Sequence, residues 1–213
     1  MRKLLAVFAL VICSLWLASP AAADTQLIVN GGFETGDFTG WTLGGNTSNL
    51  GGGNGPCSAS NPGGDGGFFY GVDLFDANSG NCGAYLGSIG SPLILSQTFS
   101  TPLSTDFLVS FALMEDAPYS TQPQSITVSF GSQVLLMDTN DNNPSVIPGT
   151  YQVFTFLVTP TSGTTTLTIS SQNDDSYWSL DDVSVTTPEP GTMLMLGTGL
   201  IGLAGVFRRR ILG

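Results

Sequence analysis

Hydrophobic and polar positions alternate with a period of two along much of the chain between residues 26 and 185. Ile126, Val128 and Phe130 alternate with Thr127 and Ser129, and Phe154, Phe156 and Val158 with Thr155 and Leu157. Leu167 and Ile169 alternate with Thr166, Thr168 and Ser170. In an extended chain this pattern turns one side toward a core and the other toward water. Similar segments fall at 26–30, 40–43, 68–74, 83–86, 93–99, 107–114, 133–137 and 177–185, which predicts about eleven short strands. Gly131-Ser132 separates two of them, and a two-residue link with glycine first suits a type II′ hairpin. No helical period appears between the two ends of the chain. The expected fold is all-β, with two antiparallel sheets packed as a sandwich.

One stretch breaks the rhythm. Residues 44–67 hold ten glycines in twenty-four positions, with Asn, Ser and Pro among them, and read as a long loop. Its Gly-Gly-Gly-Asn-Gly run lacks the following Lys-Ser/Thr and the strand-to-helix setting of a phosphate loop.

The two ends have their own patterns. Arg2 and Lys3 precede an apolar run over 4–18 and then Ser19-Pro20-Ala21-Ala22-Ala23. This is a secretory signal with cleavage by signal peptidase expected after Ala23. At the other end, an uncharged run over 192–207 is followed directly by Arg208, Arg209 and Arg210. As a helix at ~1.5 Å per residue, that run spans about 24 Å, short of the ~30 Å hydrocarbon core unless the bilayer thins. The arginines orient it with its C-terminus in the cytoplasm and the domain outside. The expected division is a signal peptide at 1–23, a domain at 24–186 and a membrane-associated tail at 187–213.

Composition now excludes several functions. The chain has five Lys and Arg, sixteen Asp and Glu, and no His, for a formal net charge of −11. All five basic residues lie in the two terminal signals, so the domain has none. Nucleic-acid binding lacks the cations that displace phosphate counterions. A Ser or Cys hydrolase lacks a His or Lys to activate its nucleophile. A glycoside hydrolase could in principle run on two carboxylates, but scattered acids always contain some pair. The domain is therefore read as non-catalytic. Once the signal carrying Cys13 is removed, only Cys57 and Cys82 remain, an even count in an oxidising compartment, and a Cys57–Cys82 disulfide is expected.

Two resemblances extend this reading. Pro188-Glu189-Pro190, the apolar span and the arginine cluster resemble the PEP-CTERM sorting signal of bacterial envelope proteins. That resemblance implies processing at Pro188-Glu189-Pro190 by an exosortase-type enzyme. A membrane-anchored precursor would then pass to the cell surface or the extracellular matrix. Separately, the opening segment Val29-Asn30-Gly31-Gly32-Phe33-Glu34, with Trp41 after it, and the closing segment Tyr177-Trp178-Ser179-Leu180-Asp181-Asp182-Val183 are similar to the terminal strands of jelly-roll modules of the galactose-binding-like class, many of which bind carbohydrate.

What the jelly-roll resemblance implies is a non-catalytic module associated with carbohydrate or exopolysaccharide. The alternative is a purely structural surface or matrix protein without a soluble ligand. Trp41 and Trp178 are expected to pack in the core, whereas Tyr70 and Tyr119, beside predicted loops, are candidates for glycan contact. The resemblance further implies a structural Ca²⁺ held by Glu34 and by Asp181 or Asp182. Strict alternation puts Asp181 on the face of Val183 and Val185, pointing inward. Hydrogen bonds from backbone amides to these same acids, with no metal, are the alternative. A rival site at 138–143 is half of a calcium-loop pattern, with Asn143 and Gly149 where that pattern needs Gly and Glu, and reads mainly as a polar turn.

Overall fold

Ten of the eleven expected segments form strands in the computed structural model, which describes residues 25–48, 50, 57, 70–116, 122–139 and 146–187. They are β1 (Thr42–Gly45), β2 (Tyr70–Asp73), β3 (Gly83–Leu86), β4 (Leu93–Ser100), β5 (Phe107–Glu115), β6 (Gln124–Phe130), β7 (Gln133–Thr139), β8 (Gln152–Val158), β9 (Thr164–Asn173) and β10 (Trp178–Thr186). One five-stranded sheet runs β1-β4-β9-β6-β7 and the other β2-β3-β10-β5-β8. Every pairing between strands is antiparallel. The fold is an all-β jelly-roll sandwich, and all ten strands lie in the compact unit Gln26–Thr187.

The alternating apolar residues meet between the sheets. Leu95, Leu167, Ile169, Ile126 and Val128 from one sheet share a buried cluster with Val109, Phe111, Leu113, Leu180 and Val185 from the other. Trp41 and Trp178 both pack in it, as expected. The Trp41 ring stacks on Phe33 at 5.8 Å and its Nε1 donates to the Asn30 carbonyl. The β6–β7 link turns at Gly131 with φ +59, while Ser132 keeps negative φ, as a type II′ turn requires.

Residues 26–30 do not form a strand; only Gln26 makes a bridge, to Thr186. Side chains replace much of the ladder there. Gln26 Oε1 accepts the amides of Ile28 and Val185, and the Gln97 side chain bonds both N–H and C=O of Val29. With these backbone groups satisfied, no continuous partner strand is needed. Asn30 then leaves the extended region at φ +53.

Among the described residues no helix is long and apolar enough to cross a membrane. The expected signal peptide, the span at 192–207, Pro188, Glu189, Pro190 and Arg208–Arg210 lie outside the described residues, as does Tyr119.

Candidate functional site: an acid-to-amide clamp and a loop cleft

The closing strand carries a β-bulge where the sequence has Asp181-Asp182. Leu180 opposes Leu113 and Val185 opposes Val109, all core residues, while the register shifts between Asp181 and Ser184. Asp182 and Val183 together oppose the single residue Phe111, and Asp182 sits at φ +52. The extra residue reverses the alternation. Asp181 is buried (0% exposed), but it opposes Ala112 on the outer face of the sheet, away from Val183 and Val185. This corrects the face expected from strict alternation; a bulge is invisible to a period-two count.

With no Lys or Arg in the domain, the acids take backbone amides as partners. Asp181 Oδ2 accepts the N–H groups of Asn78 (2.8 Å) and Ser79 (2.9 Å), and its Oδ1 accepts that of Asp182. Asp182 takes the Asn78 side-chain amide at 2.8 Å and the Ser79 hydroxyl at 2.6 Å. Glu34 Oε1 accepts the amides of Asn81 (2.8 Å) and Cys82 (3.2 Å). Three carboxylates from the two terminal segments thus hold one connection, residues 78–82, against the sheet.

Two glycines make room for this clamp. A Cβ on Gly80 (φ +66) would lie 2.0 Å from Glu34 Oε1, and one on Gly31 would lie 1.9 Å from the Val183 carbonyl. Gly31 also accepts the Val183 amide at 2.9 Å, so the opening Asn-Gly-Gly-Phe turn docks directly on the bulge.

The same connection ends in the disulfide. Cys57 and Cys82 are bonded, with Cα atoms 5.4 Å apart and a sequence separation of 25. Both are buried.

These contacts bear on calcium. The bonds to Glu34, Asp181 and Asp182 come from N–H groups, which cannot ligate a cation, and from the Ser79 hydroxyl, whose oxygen could. Among the described residues no group of three Asp, Glu or Cys side chains could hold a metal ion. As arranged, the three acids are partnered by amides and one hydroxyl. At the rival site Asp138 is buried and its Oδ2 accepts the Val146 amide at 2.6 Å, while residues 140–145 lie outside the described part.

Further acids and tyrosines, not singled out by the sequence, are withdrawn from water in the same domain. Asp73 is buried, its Oδ1 accepts the amides of Phe75 and Asp76, and its Oδ2 has no partner. Asp76 Oδ1 accepts the Ser179 hydroxyl, and its backbone carbonyl accepts the Tyr151 hydroxyl. Burial pushes the Asp76 carboxyl up to about 7 against the pull of Ser179, with Asp73 adding to the rise. Asp181 is raised to about 6 by burial, opposed by its amide bonds. Glu115 is raised to about 7 by burial and by Asp138. Burial drives the hydroxyls of Tyr85 and Tyr151 far above the usual tyrosine range.

Tyr70 does not offer a face to a ligand. It is 1% exposed, and its hydroxyl donates to the Thr47 carbonyl at 2.8 Å. Tyr70 opens β2 with its ring turned into the core, as every second residue of a covered strand must be. The accessible aromatics lie elsewhere. Phe75 is 61% exposed, and Tyr177 is half-buried.

Tyr177 lines a cleft of about 90 Å³ between the β3–β4 and β9–β10 connections, with Gly87, Ile89, Asn173, Asp174, Asp175 and Ser176. Its ring stands edge-on to Tyr85, with centroids 5.4 Å apart. Asn173 Oδ1 accepts the amides of Asp175 and Ser176 and the Gln124 side-chain amide. These donors settle which end of the Asn173 side chain is the NH₂ group. That Nδ2 is buried and without a hydrogen-bond partner. Asp174 Oδ1 accepts the Gly90 amide and ties the two connections together at 2.9 Å.

Residues 186–210 match the PEP-CTERM protein-sorting motif. No curated protein matches the chain in sequence. Among solved structures, the carbohydrate-binding module TmCBM61, solved with β-1,4-galactotriose, aligns with a TM-score of 0.52 at 15% identity, over 76% of this chain and 99% of that one. The CBM22-1-GH10 modules of Clostridium thermocellum xylanase 10B, solved with xylohexaose, align at 0.50 and 16% identity, over 78% of this chain but 29% of that one. The K1 cleaved adhesin domain of Lys-gingipain from Porphyromonas gingivalis W83 aligns at 0.50 and 15% identity, over 78% and 99%. Residues 186–210 of this chain are a PEP-CTERM protein-sorting motif, placed after a β-sandwich that shares its fold with carbohydrate-binding modules.

Proposed function

We propose that this chain is an exported protein, sorted through its PEP-CTERM motif, whose sandwich domain binds a glycan without catalysing a reaction on it. The observation that carries the binding reading is the Tyr177 cleft. It combines an aromatic ring with acidic acceptors at Asp174 and Asp175. Sugars present C–H faces for aromatic rings and hydroxyls that both donate and accept, so they match this set. The sandwich fold shared with carbohydrate-binding modules supports the same reading.

The sorting motif supports an exported, membrane-anchored precursor that an exosortase-type enzyme cuts near Pro188-Glu189-Pro190. Its destination on this reading is the cell surface or the extracellular matrix, with exopolysaccharide as the partner. Mass spectrometry of the released protein tests the route. The account expects a chain that starts at Asp24 and lacks Arg208–Arg210. Released protein that keeps these arginines refutes it. A glycan array probed with the purified full-length chain tests binding. Retention on at least one glycan supports a binding module; no retention on a broad array leaves a purely structural surface protein.

Calcium remains a separate proposal. A Ca²⁺ at Glu34 with Asp181 or Asp182 would share those oxygens with the N–H and O–H donors of residues 78–82.

A further inference from the structure

The outer face of the sheet β1-β4-β9-β6-β7 differs chemically from the rest of the domain. Its three central strands, β4, β9 and β6, pair in a register that lines up hydroxyl side chains in rows. Ser96 opposes Thr168, which opposes Ser129. Thr98 opposes Thr166, and Thr127 opposes Ser170. All seven are exposed or half-buried, while their neighbours Leu95, Leu167, Ile169, Ile126 and Val128 fill the core beneath. Same-side residues of a strand lie about 6.5–7 Å apart and adjacent strands about 4.8 Å apart, so the hydroxyls form a grid. Thr98 and Thr166 share a hydrogen bond of 2.8 Å across two strands.

The charge pattern selects the occupant. These five strands contain one carboxylate, Asp138, and it is buried on the Val146 amide. The opposite sheet carries Asp73, Glu115, Asp181 and Asp182 in its strands. On a chain with formal net charge −11, this hydroxyl face is neutral. A polyanion meets repulsion from the domain as a whole and finds no cation here. A protein partner finds no aromatic or Arg anchor on the grid, only the exposed Val134 and Met137 of the edge strand β7 opposite Ser129 and Thr127. A neutral polyhydroxylated chain finds groups that both donate and accept, set among threonine methyls. Threonine has few side-chain rotamers, so little freedom is lost on contact.

We propose that this hydroxyl grid is a second glycan-binding surface, which takes an extended neutral polysaccharide laid flat on the sheet. It rests on the glycan-binding reading but uses a different face from the Tyr177 cleft.

The test is co-sedimentation of the purified full-length protein with microcrystalline cellulose and chitin particles, beside soluble oligosaccharides and polygalacturonate. The expected result is retention on at least one neutral particle and none on polygalacturonate. Thr168→Asp at the centre of the grid, and Thr98→Asp at an exposed position, should each weaken particle retention by about tenfold or more. Thr155→Asp, which adds the same charge to the other sheet, serves as control and should retain wild-type binding. Melting curves confirm that each variant is folded, and Thr98→Asp carries the test if Thr168→Asp unfolds. Equal retention of wild type and Thr98→Asp overturns the proposal. Binding of soluble oligosaccharides without particle retention overturns the grid alone. Absence of binding to any glycan overturns both the grid and the reading it rests on.

Discussion

Asp181 receives the backbone N–H of Ser79 at 2.9 Å across a sequence separation of 102 residues, and Ser79 belongs to the connection that ends at the disulfide-bonded Cys82. The closing strand thereby fixes a connection from the middle of the chain. In a domain with no Lys or Arg, backbone amides are the donors that let a carboxylate be fully buried. Asp181→Ala leaves two loop amides without an acceptor and should cost roughly 3 kcal/mol. For a domain of this size that lowers the melting temperature by about 6–12 °C. Asp181→Asn keeps one acceptor oxygen and should cost roughly half as much. Thermal melts of both variants check this; an unchanged melting temperature in Asp181→Ala would mean the clamp contributes nothing.

Stability should rise on mild acidification. Asp76 and Glu115 are raised to about 7 and Asp181 to about 6, from ordinary values near 4. Raised acids favour folding fully while both states are protonated, and that advantage is lost as pH climbs from the unfolded to the folded pKa. The window is therefore about pH 4 to 7, with little further change above it. Asp37, which its bonds from Thr39 and Thr35 lower, acts in the opposite sense, but it is exposed and contributes little. The melting temperature at pH 5 should exceed that at pH 8 by about 5 °C or more. A higher melting temperature at pH 8 would contradict the placement of these acids.

Reduction of Cys57–Cys82 should destabilise the domain. Its closed loop spans a separation of 25, worth about 3 kcal/mol in the chain-entropy account. Melting with and without reductant reads the shift, expected at roughly 6–12 °C. Two titratable thiols in the exported protein before any reductant is added would rule the bridge out.

Chelation decides the calcium proposal. If a Ca²⁺ joins the clamp, chelator lowers the melting temperature of wild type, and Glu34→Gln abolishes the difference. If amides alone serve these acids, melting is the same with and without chelator.

Legibility in the sequence varied with the kind of signal. The β6–β7 hairpin was readable because alternation on both sides and the Gly131-Ser132 link agree. The disulfide followed from cysteine count and compartment. The segment 26–30 resembled a strand by pattern, but Gln26 and Gln97 supply its hydrogen bonds from side chains, which no periodicity records. Asp181 was expected to be buried and is, yet the bulge at Asp182 and Val183 moves it to the other face. Tyr70 beside a glycine-rich loop suggested exposure, although its place in β2 turns it into the core. The Tyr177 cleft was not foreseen. It depends on Asn173 and Gly87, 86 positions apart, meeting at one end of the strands.

Glycan binding at that cleft is most directly tested by isothermal titration of the strongest array ligand into full-length wild type and Tyr177→Ala. The account predicts saturable binding to wild type and about tenfold weaker binding to Tyr177→Ala, the scale of one lost aromatic contact. Equal affinity in the two proteins would contradict the account.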